Sequence, residues 1–163
     1  MIFSFTGPSK LTPAEEKWCL AELDGINADA VWRSGCAHGL DTLVAYAQAP
    51  GRVHLVIPVD KPCNLEMVKE VARRGATYVG VHGSYRDRNE RLVHGSDVLF
   101  AFLRAPTFYR SGEWMTVNIA RRTGVTVVEH IIPSFEPVCS CDECIMEISS
   151  HPDEMALCPH FTS

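Results

Sequence analysis

The chain has 163 residues, of which 46% are hydrophobic and 21% are charged, as is usual for one globular domain with a short appendage. The formal net charge is −5, whereas nucleic-acid binders usually carry a basic face, so we expect nucleic acid to be an unlikely partner. Only local clustering of arginines would create such a face: Arg86, Arg88, Arg91, Arg104 and Arg110. No segment approaches the length of a membrane span, and the first residues lack the basic start of a signal peptide. We therefore expect a cytoplasmic protein without a membrane partner.

The first half of the chain alternates strand and helix patterns. Residues 2–6 predict a strand that ends at Gly7. Thr12 is a candidate N-cap, with Pro13 in the first helical position and Glu15 completing a capping box. Further strands are predicted at residues 30–33 and 53–57, and further helices at residues 40–48 and 65–74.

The second half continues this alternation. Strands are predicted at residues 77–81, 98–102 and 125–129, and helices at residues 88–94 and 113–122. Strands that are apolar throughout and alternate with helices indicate a parallel sheet covered on both faces. We therefore predict an α/β, doubly wound, Rossmann-like domain over residues 1–132, followed by a hinge and a cysteine-rich tail over residues 133–163.

Two polar segments flank the predicted strand at residues 98–102. An arginine-rich helix start at residues 85–93 precedes it, and a small-residue turn at residues 110–112 follows it. Ligands of doubly wound folds bind outside the carboxyl ends of the strands, and a turn that opens a helix can direct backbone N–H groups at an anion. This pairing predicts a phosphate-bearing ligand, in the first instance a nucleotide.

Three motifs occur in order and resemble those of the DNA-processing protein A family. Residues 34–41, Ser-Gly-Cys-Ala-His-Gly-Leu-Asp, resemble its Ser-Gly-x-Ala-x-Gly-Ile-Asp motif. Residues 88–97 resemble its Arg-Asn-Arg-Ile-Ile-x-Gly-Leu-Ser motif, and Ser111-Gly112 followed by Thr116 resembles its Ser-Gly-x-x-x-Thr motif. Residues 5–9 resemble its opening Thr-Gly-Ser turn. The resemblance covers about residues 1–132 and extends to the SLOG superfamily of Rossmann-like nucleotide-binding domains.

The SLOG superfamily includes the Lonely Guy phosphoribohydrolases, which cleave the N-glycosidic bond of nucleoside 5′-monophosphates, and ligand-sensing domains. Their resemblance implies nucleotide binding, with hydrolysis of that bond as a further expectation. The Lonely Guy enzymes place a catalytic glutamate after the turn threonine, where this chain has Val117, Asn118 and Ile119. That departure favours a non-catalytic sensor or sequestering protein, and a single-stranded DNA binder is the less favoured third alternative.

The candidate site residues follow from these motifs. Glu113 and Asp41 are the carboxylates able to reach an oxocarbenium-like sugar, and Arg88 can fork onto a phosphate; we assign these three to catalysis. The expected ligand-binding residues are Gly7, Ser9, Ser34, Gly35, Arg86, Arg88, Asn89, Ser111, Gly112 and Thr116. Two simpler interpretations stay open: Ser111, Gly112 and Thr116 as a helix-start turn with a core threonine, and Asp41 as a partner of the helix dipole.

The tail is rich in soft metal ligands. Four of the seven cysteines and one histidine crowd into it: Cys139, Cys141, Cys144, Cys158 and His160. Structural zinc needs four such ligands in tetrahedral geometry, and metal would supply the folding free energy that a tail with few large apolar residues lacks. We predict a structural zinc ion held by four of these five residues. Formation of a homo-oligomer is left open.

Overall fold

A computed structural model of the chain describes residues 1–104 and 112–135. These residues form an α/β domain with six strands and five α-helices, which confirms the predicted fold class. The strands are β1 (Ile2–Thr6), β2 (Val31–Ser34), β3 (Val53–Pro58), β4 (Thr77–Val81), β5 (Val98–Arg104) and β6 (Thr126–Ile132). The helices are α1 (Pro13–Asp24), α2 (Leu40–Ala47), α3 (Leu65–Arg73), α4 (Tyr85–Val93) and α5 (Gly112–Arg122).

All neighbouring strands are parallel, in the order β4-β3-β2-β1-β5-β6. Right-handed crossovers place α1, α2 and α3 on one face of this sheet. After β4 the chain returns past β1 to form β5, which places α4 and α5 together on the opposite face. The direction of winding therefore reverses between β1 and β5, and the carboxyl ends of these strands define a switch-point rim.

Buried apolar clusters hold both helix layers to the sheet. Under α1, Phe5 of β1 lies 4.9 Å from Trp32 of β2, measured between ring centroids. On the other face, Leu99 of β5 packs with Val93 of α4 and Val117 of α5. None of the helices in the described segments is long and apolar enough to cross a membrane.

Side-chain capping explains where α1 and α4 begin. Thr12 and Glu15 form the predicted capping box of α1. A second capping box, Ser84 with Asp87, starts α4 at Tyr85, three residues before the predicted start. Arg86 consequently lies in the first turn of this helix.

The predicted zinc ligands of the tail lie outside the described residues. Within residues 1–104 and 112–135, no three cysteine, histidine or acidic side chains come together in a way that could hold a metal ion.

Candidate functional site

The turn after β2 is fastened to the start of α2 by buried hydrogen bonds. The Ser34 hydroxyl donates to the Asp41 carbonyl at 2.7 Å, and the Ala37 N–H donates to Asp41 Oδ2 at 3.0 Å. Gly39 has a φ of +71°, and a Cβ there would collide with Pro8. The Leu40 N–H donates to the Pro8 carbonyl at 3.0 Å. The motif at residues 34–41 therefore packs directly on the turn after β1, at the switch-point rim.

Arg88 extends from α4 over the end of β2 to reach this turn. Its side chain is buried, with 8% of the residue exposed. Nη1 donates to the Gly35 carbonyl and lies 3.3 Å from Asp41 Oδ2. The guanidinium carbon is also 5.7 Å from the centre of the Tyr85 ring, within range of a cation–π interaction. A Cβ at position 35 would collide with the end of the Arg88 side chain, so a larger residue there would require the guanidinium to shift.

The Nε atom of Arg88 lacks a partner in the part of the chain that the structure describes. Nε is buried and makes no hydrogen bond with the described residues. A buried donor without an acceptor costs about 1–3 kcal/mol. The side chain is thus held in place through Nη1, while Nε is left for an acceptor that the described residues do not supply.

Asp41 is the buried counter-charge of Arg88. Burial raises the pKa of its carboxyl above the ordinary value, and the Arg88 charge and the Ala37 N–H act in the opposite direction. The charge of Glu113, at the start of α5, also raises this pKa. The charges of the two predicted catalytic carboxylates, Asp41 and Glu113, therefore interact. Asp41 itself is only 7% exposed.

The other predicted ligand residues fall into two groups. Gly7 and Ser9 lie in the turn after β1, Gly7 against the Leu40 side chain and Ser9 exposed. Asn89 and Thr116 are engaged in packing: Asn89 Nδ2 donates to Met115 Sδ at 3.7 Å, and the Thr116 hydroxyl donates to the Gly112 carbonyl at 3.1 Å.

Arg86 does not join Arg88. It is exposed and pairs with Glu90 one helical turn away, at 3.1 Å. Arg104, at the end of β5, is likewise neutralised by Glu15 at 2.8 Å, and this bond lowers the pKa of Glu15. Ser111 lies outside the described residues, so the predicted pairing of its turn with Arg88 stays a prediction.

Sequence reasoning named Gly35 as a ligand-binding residue without foreseeing the role of its carbonyl, and it missed Tyr85. The Gly35 carbonyl is the acceptor that fixes Arg88, and Tyr85 lies against the guanidinium. The capping box of Ser84 and Asp87 is a sequence signal that could have revealed the true start of α4, and with it the position of Tyr85.

The fold and the position of Arg88 define a class of protein, a doubly wound Rossmann-like domain with its candidate site at the switch-point rim. No family model matches the chain, and no curated protein matches it. Among solved structures, it is similar to DNA processing protein A from Helicobacter pylori, described for its single-stranded DNA binding mode. The TM-score is 0.63 at 18% identity, over 91% of this chain and 73% of that chain.

A second similar structure is DNA processing protein A from Streptococcus pneumoniae. Its TM-score is 0.62 at 18% identity, over 90% of this chain and 55% of that chain, so this chain spans about half of that protein. At this identity the likeness establishes the fold, which is the fold that the three motifs implied.

This comparison overturns our expectation that nucleic acid is an unlikely partner, because the Helicobacter pylori neighbour binds single-stranded DNA. The physical reason for the error is that net charge does not describe how charge is distributed. Helices α4 and α5 carry five arginines against three carboxylates, whereas α1, α2 and α3 carry three cationic side chains against seven acidic ones. The excess of acidic side chains lies in the layer formed by α1, α2 and α3, whereas the layer formed by α4 and α5 has an excess of arginines and is basic.

Proposed function

We propose that this chain binds single-stranded nucleic acid by its phosphates at the switch-point rim. The observation that carries this proposal is the state of Arg88, which is buried, held through Nη1 and left without a partner at Nε among the described residues. A phosphate oxygen is the acceptor that a guanidinium fork recognises best. A cytoplasmic location, as predicted from the sequence, is part of this proposal.

Two further observations support nucleic acid over an isolated small anion. Arg88 belongs to the basic helix layer formed by α4 and α5, which favours approach of a polyanion. The same fold occurs in the Helicobacter pylori protein, which is described as binding single-stranded DNA. Arg91 is exposed on the same helix as Arg88 and is available to a further phosphate, whereas Arg86 is paired with Glu90.

The experiment is fluorescence anisotropy with a labelled oligothymidylate, repeated at several salt concentrations. Arg88→Ala should weaken binding at least tenfold, which corresponds to about 1.4 kcal/mol. Arg73→Ala is the matched control, because Arg73 is an exposed arginine on α3, in the acidic layer, and pairs with Glu70. Equal affinity of the Arg88 and Arg73 variants, or no binding by the native protein at low salt, would sink the proposal.

Loss of Arg88 also removes a buried charge, so a second variant separates folding from binding. Arg88→Met combined with Asp41→Asn removes both charges, and the amide oxygen introduced by the second substitution can still accept the bond from the Ala37 N–H. This double variant should stay folded and still fail to bind the oligonucleotide. Normal binding by the folded double variant contradicts a role of Arg88 in binding.

A second candidate function is cleavage of the N-glycosidic bond of a nucleoside 5′-monophosphate at the same rim. The specific observation in its favour is that two carboxylates share this neighbourhood: burial is the main cause that raises the pKa of Asp41, and the charge of Glu113 adds to it. A pair of carboxylates is the usual apparatus of glycoside hydrolysis. Incubation with a panel of nucleoside monophosphates should then release free base, and Glu113→Gln should abolish the release. Saturable binding without release would instead indicate a non-catalytic sensor.

A further inference from the structure

Strand β4 forms one edge of the sheet, and β3 is its only partner strand among the described residues. Its sequence, Thr-Tyr-Val-Gly-Val, contains no charged side chain and no proline, and its register with β3 is continuous. Natural proteins protect exposed edges with charges, prolines or bulges, because unpaired backbone groups otherwise bind another strand. The opposite edge, β6, does carry a charged side chain, Glu129, which pairs with Arg121. The edge at β4 is therefore the unprotected one.

The hydrogen bonds between β3 and β4 identify the backbone groups that point outwards. The Val59 N–H donates to the Val81 carbonyl at 3.0 Å, so the backbone of Val81 faces β3. Successive residues of a strand direct their N–H and C=O groups to opposite sides. The backbone of Val79 therefore also faces β3, whereas Tyr78 and Gly80 direct theirs away from the sheet. These two residues offer two donors and two acceptors to a further strand.

This pattern is self-complementary in the antiparallel direction. When Val79 lies opposite Val79 of a second copy, Tyr78 of each copy lies opposite Gly80 of the other. Directly opposite residues whose backbone groups face each other exchange both hydrogen bonds. All the outward N–H and C=O groups of Tyr78 and Gly80 would thus be satisfied by an identical strand.

The side chains fit the same register. Tyr78 and Gly80 are two residues apart and lie on one face of the sheet. Tyr78 is 65% exposed and Val59 is 49% exposed, and the Val59 side chain lies over Gly80, since a Cβ there would be 2.8 Å from its Cγ2. Tyr78 of a second copy would pack on Gly80 and Val59. An aromatic ring opposite a strand glycine is a stabilising cross-strand pair.

The two ends of β4 have opposite charge. Before the strand, two guanidinium groups share a single carboxylate: Arg73, Arg74 and Glu70. After it, two carboxylates that accept bonds from the backbone of Gly83 and Ser84 outnumber one ammonium group: Asp60, Asp87 and Lys61. Antiparallel pairing brings the amino end of one β4 to the carboxyl end of the other, so opposite charges approach each other twice.

We infer that the β4 edge is an interface for a second copy of this chain, in which two β4 strands pair antiparallel about Val79 and join the two sheets into one. The contact is isologous, because each copy contributes the same residues. Its two-fold axis is perpendicular to the sheet, so the basic layers of α4 and α5 from both copies lie on the same face. The inference goes beyond the proposed function and does not depend on it.

The first test is sedimentation velocity of the native protein at concentrations from about 1 μM to about 1 mM. The native protein should form dimers, and Tyr78→Lys should raise the dissociation constant at least tenfold. This substitution removes the ring from Gly80 and places two like charges at diagonal positions across the strands. Ile131→Lys is the matched control, because Ile131 is a 51% exposed apolar residue on the other edge strand.

A native protein that stays monomeric throughout this range overturns the inference, whether residues 136–163 or another protein then cover the edge. Equal dissociation constants for Tyr78→Lys and Ile131→Lys overturn it as well, because the dimer would then use another surface. Circular dichroism checks that both variants are folded, as the exposure of both positions leads us to expect.

The second test addresses the register. Val79→Cys places two thiols opposite each other across the two-fold axis, at a separation that a disulfide can span. Mild oxidation should convert this variant to a covalent dimer on a non-reducing gel. The native protein and Val128→Cys, on β6, are the controls for the natural cysteines and for random encounters. Cross-linking of Val79→Cys no greater than that of the two controls refutes the proposed pairing.

Discussion

Asp41 Oδ2 lies 3.3 Å from Arg88 Nη1, and this pair joins α2 on one face of the sheet to α4 on the other. Both side chains are about nine-tenths buried. The bridge passes over the carboxyl end of β2, where the Gly35 carbonyl accepts a second bond from the same nitrogen. The two helix layers are therefore connected at the place where we propose that ligand binds.

The first prediction concerns the stability of this bridge. Arg88→Ala should lower the free energy of unfolding at neutral pH by about 3–5 kcal/mol, because it leaves the buried Asp41 charge uncompensated. The double variant, Arg88→Met with Asp41→Asn, should lose much less of this free energy because no buried charge is left unpaired. Urea denaturation measures the free energy of unfolding of both variants. A loss from Arg88→Ala as small as that expected for a surface ion pair would contradict a buried Arg88–Asp41 pair.

The pH dependence of the Arg88→Ala variant provides a second check on the same bridge. Arg88 lowers the pKa of Asp41, so its loss should raise that pKa further above the unfolded value. The folded variant then binds a proton more readily than its unfolded chain. The difference in free energy of unfolding between the variant and the native protein should therefore shrink as the pH falls towards the acidic range. A deficit that is independent of pH speaks against Asp41 as the destabilised group.

The second prediction tests the close approach at Gly35. Gly35→Ala should weaken oligonucleotide binding and lower stability, because the added Cβ would collide with Arg88 Nη1 and lie 2.9 Å from Asp41 Oδ2. Gly51→Ala is the control, since a Cβ there meets no atom within 4 Å. Anisotropy and urea denaturation should separate the two variants. Indistinguishable behaviour would show that Arg88 is free to move aside.

The third prediction follows from the pKa of His54, which burial lowers. Below its ordinary value of 6.5, the unfolded chain takes up a proton that the folded protein resists. The free energy of unfolding should therefore fall as the pH drops through about 6.5 and below. His54→Gln should remove this part of the acid sensitivity. Parallel stability curves for the native protein and His54→Gln would contradict the prediction.

The fourth prediction concerns the cysteine-rich tail, for which we propose one structural zinc ion per chain. Elemental analysis of protein purified without chelator should find zinc, which Cys144→Ser or Cys158→Ser should remove while Cys63→Ser retains it. Zinc affinity should weaken in acid because thiols must lose protons to bind. The body should remain folded without metal, since it has its own core. Absence of stoichiometric zinc from the native protein rules out the site.

Much of the fold was predictable because its signals are local. The alternation of apolar runs with capped, amphipathic segments predicted every strand and α-helix that the structure describes. The capping residue Thr12 was identified correctly, whereas Ser84 was overlooked and the start of α4 was placed too late. The rim position of the motif at residues 34–41 also followed, because the carboxyl ends of parallel strands share one edge.

The sequence by itself determined the fold class and the arginine and aspartate that meet at the rim. Only the tertiary structure decided that Arg88 pairs with Asp41 and that Arg33, His54 and Thr77 align in one row. These contacts depend on strand order and register, which bring together residues far apart in the chain. The distribution of charge between the two helix layers arises in the same way, because the order of the strands decides which face each helix covers.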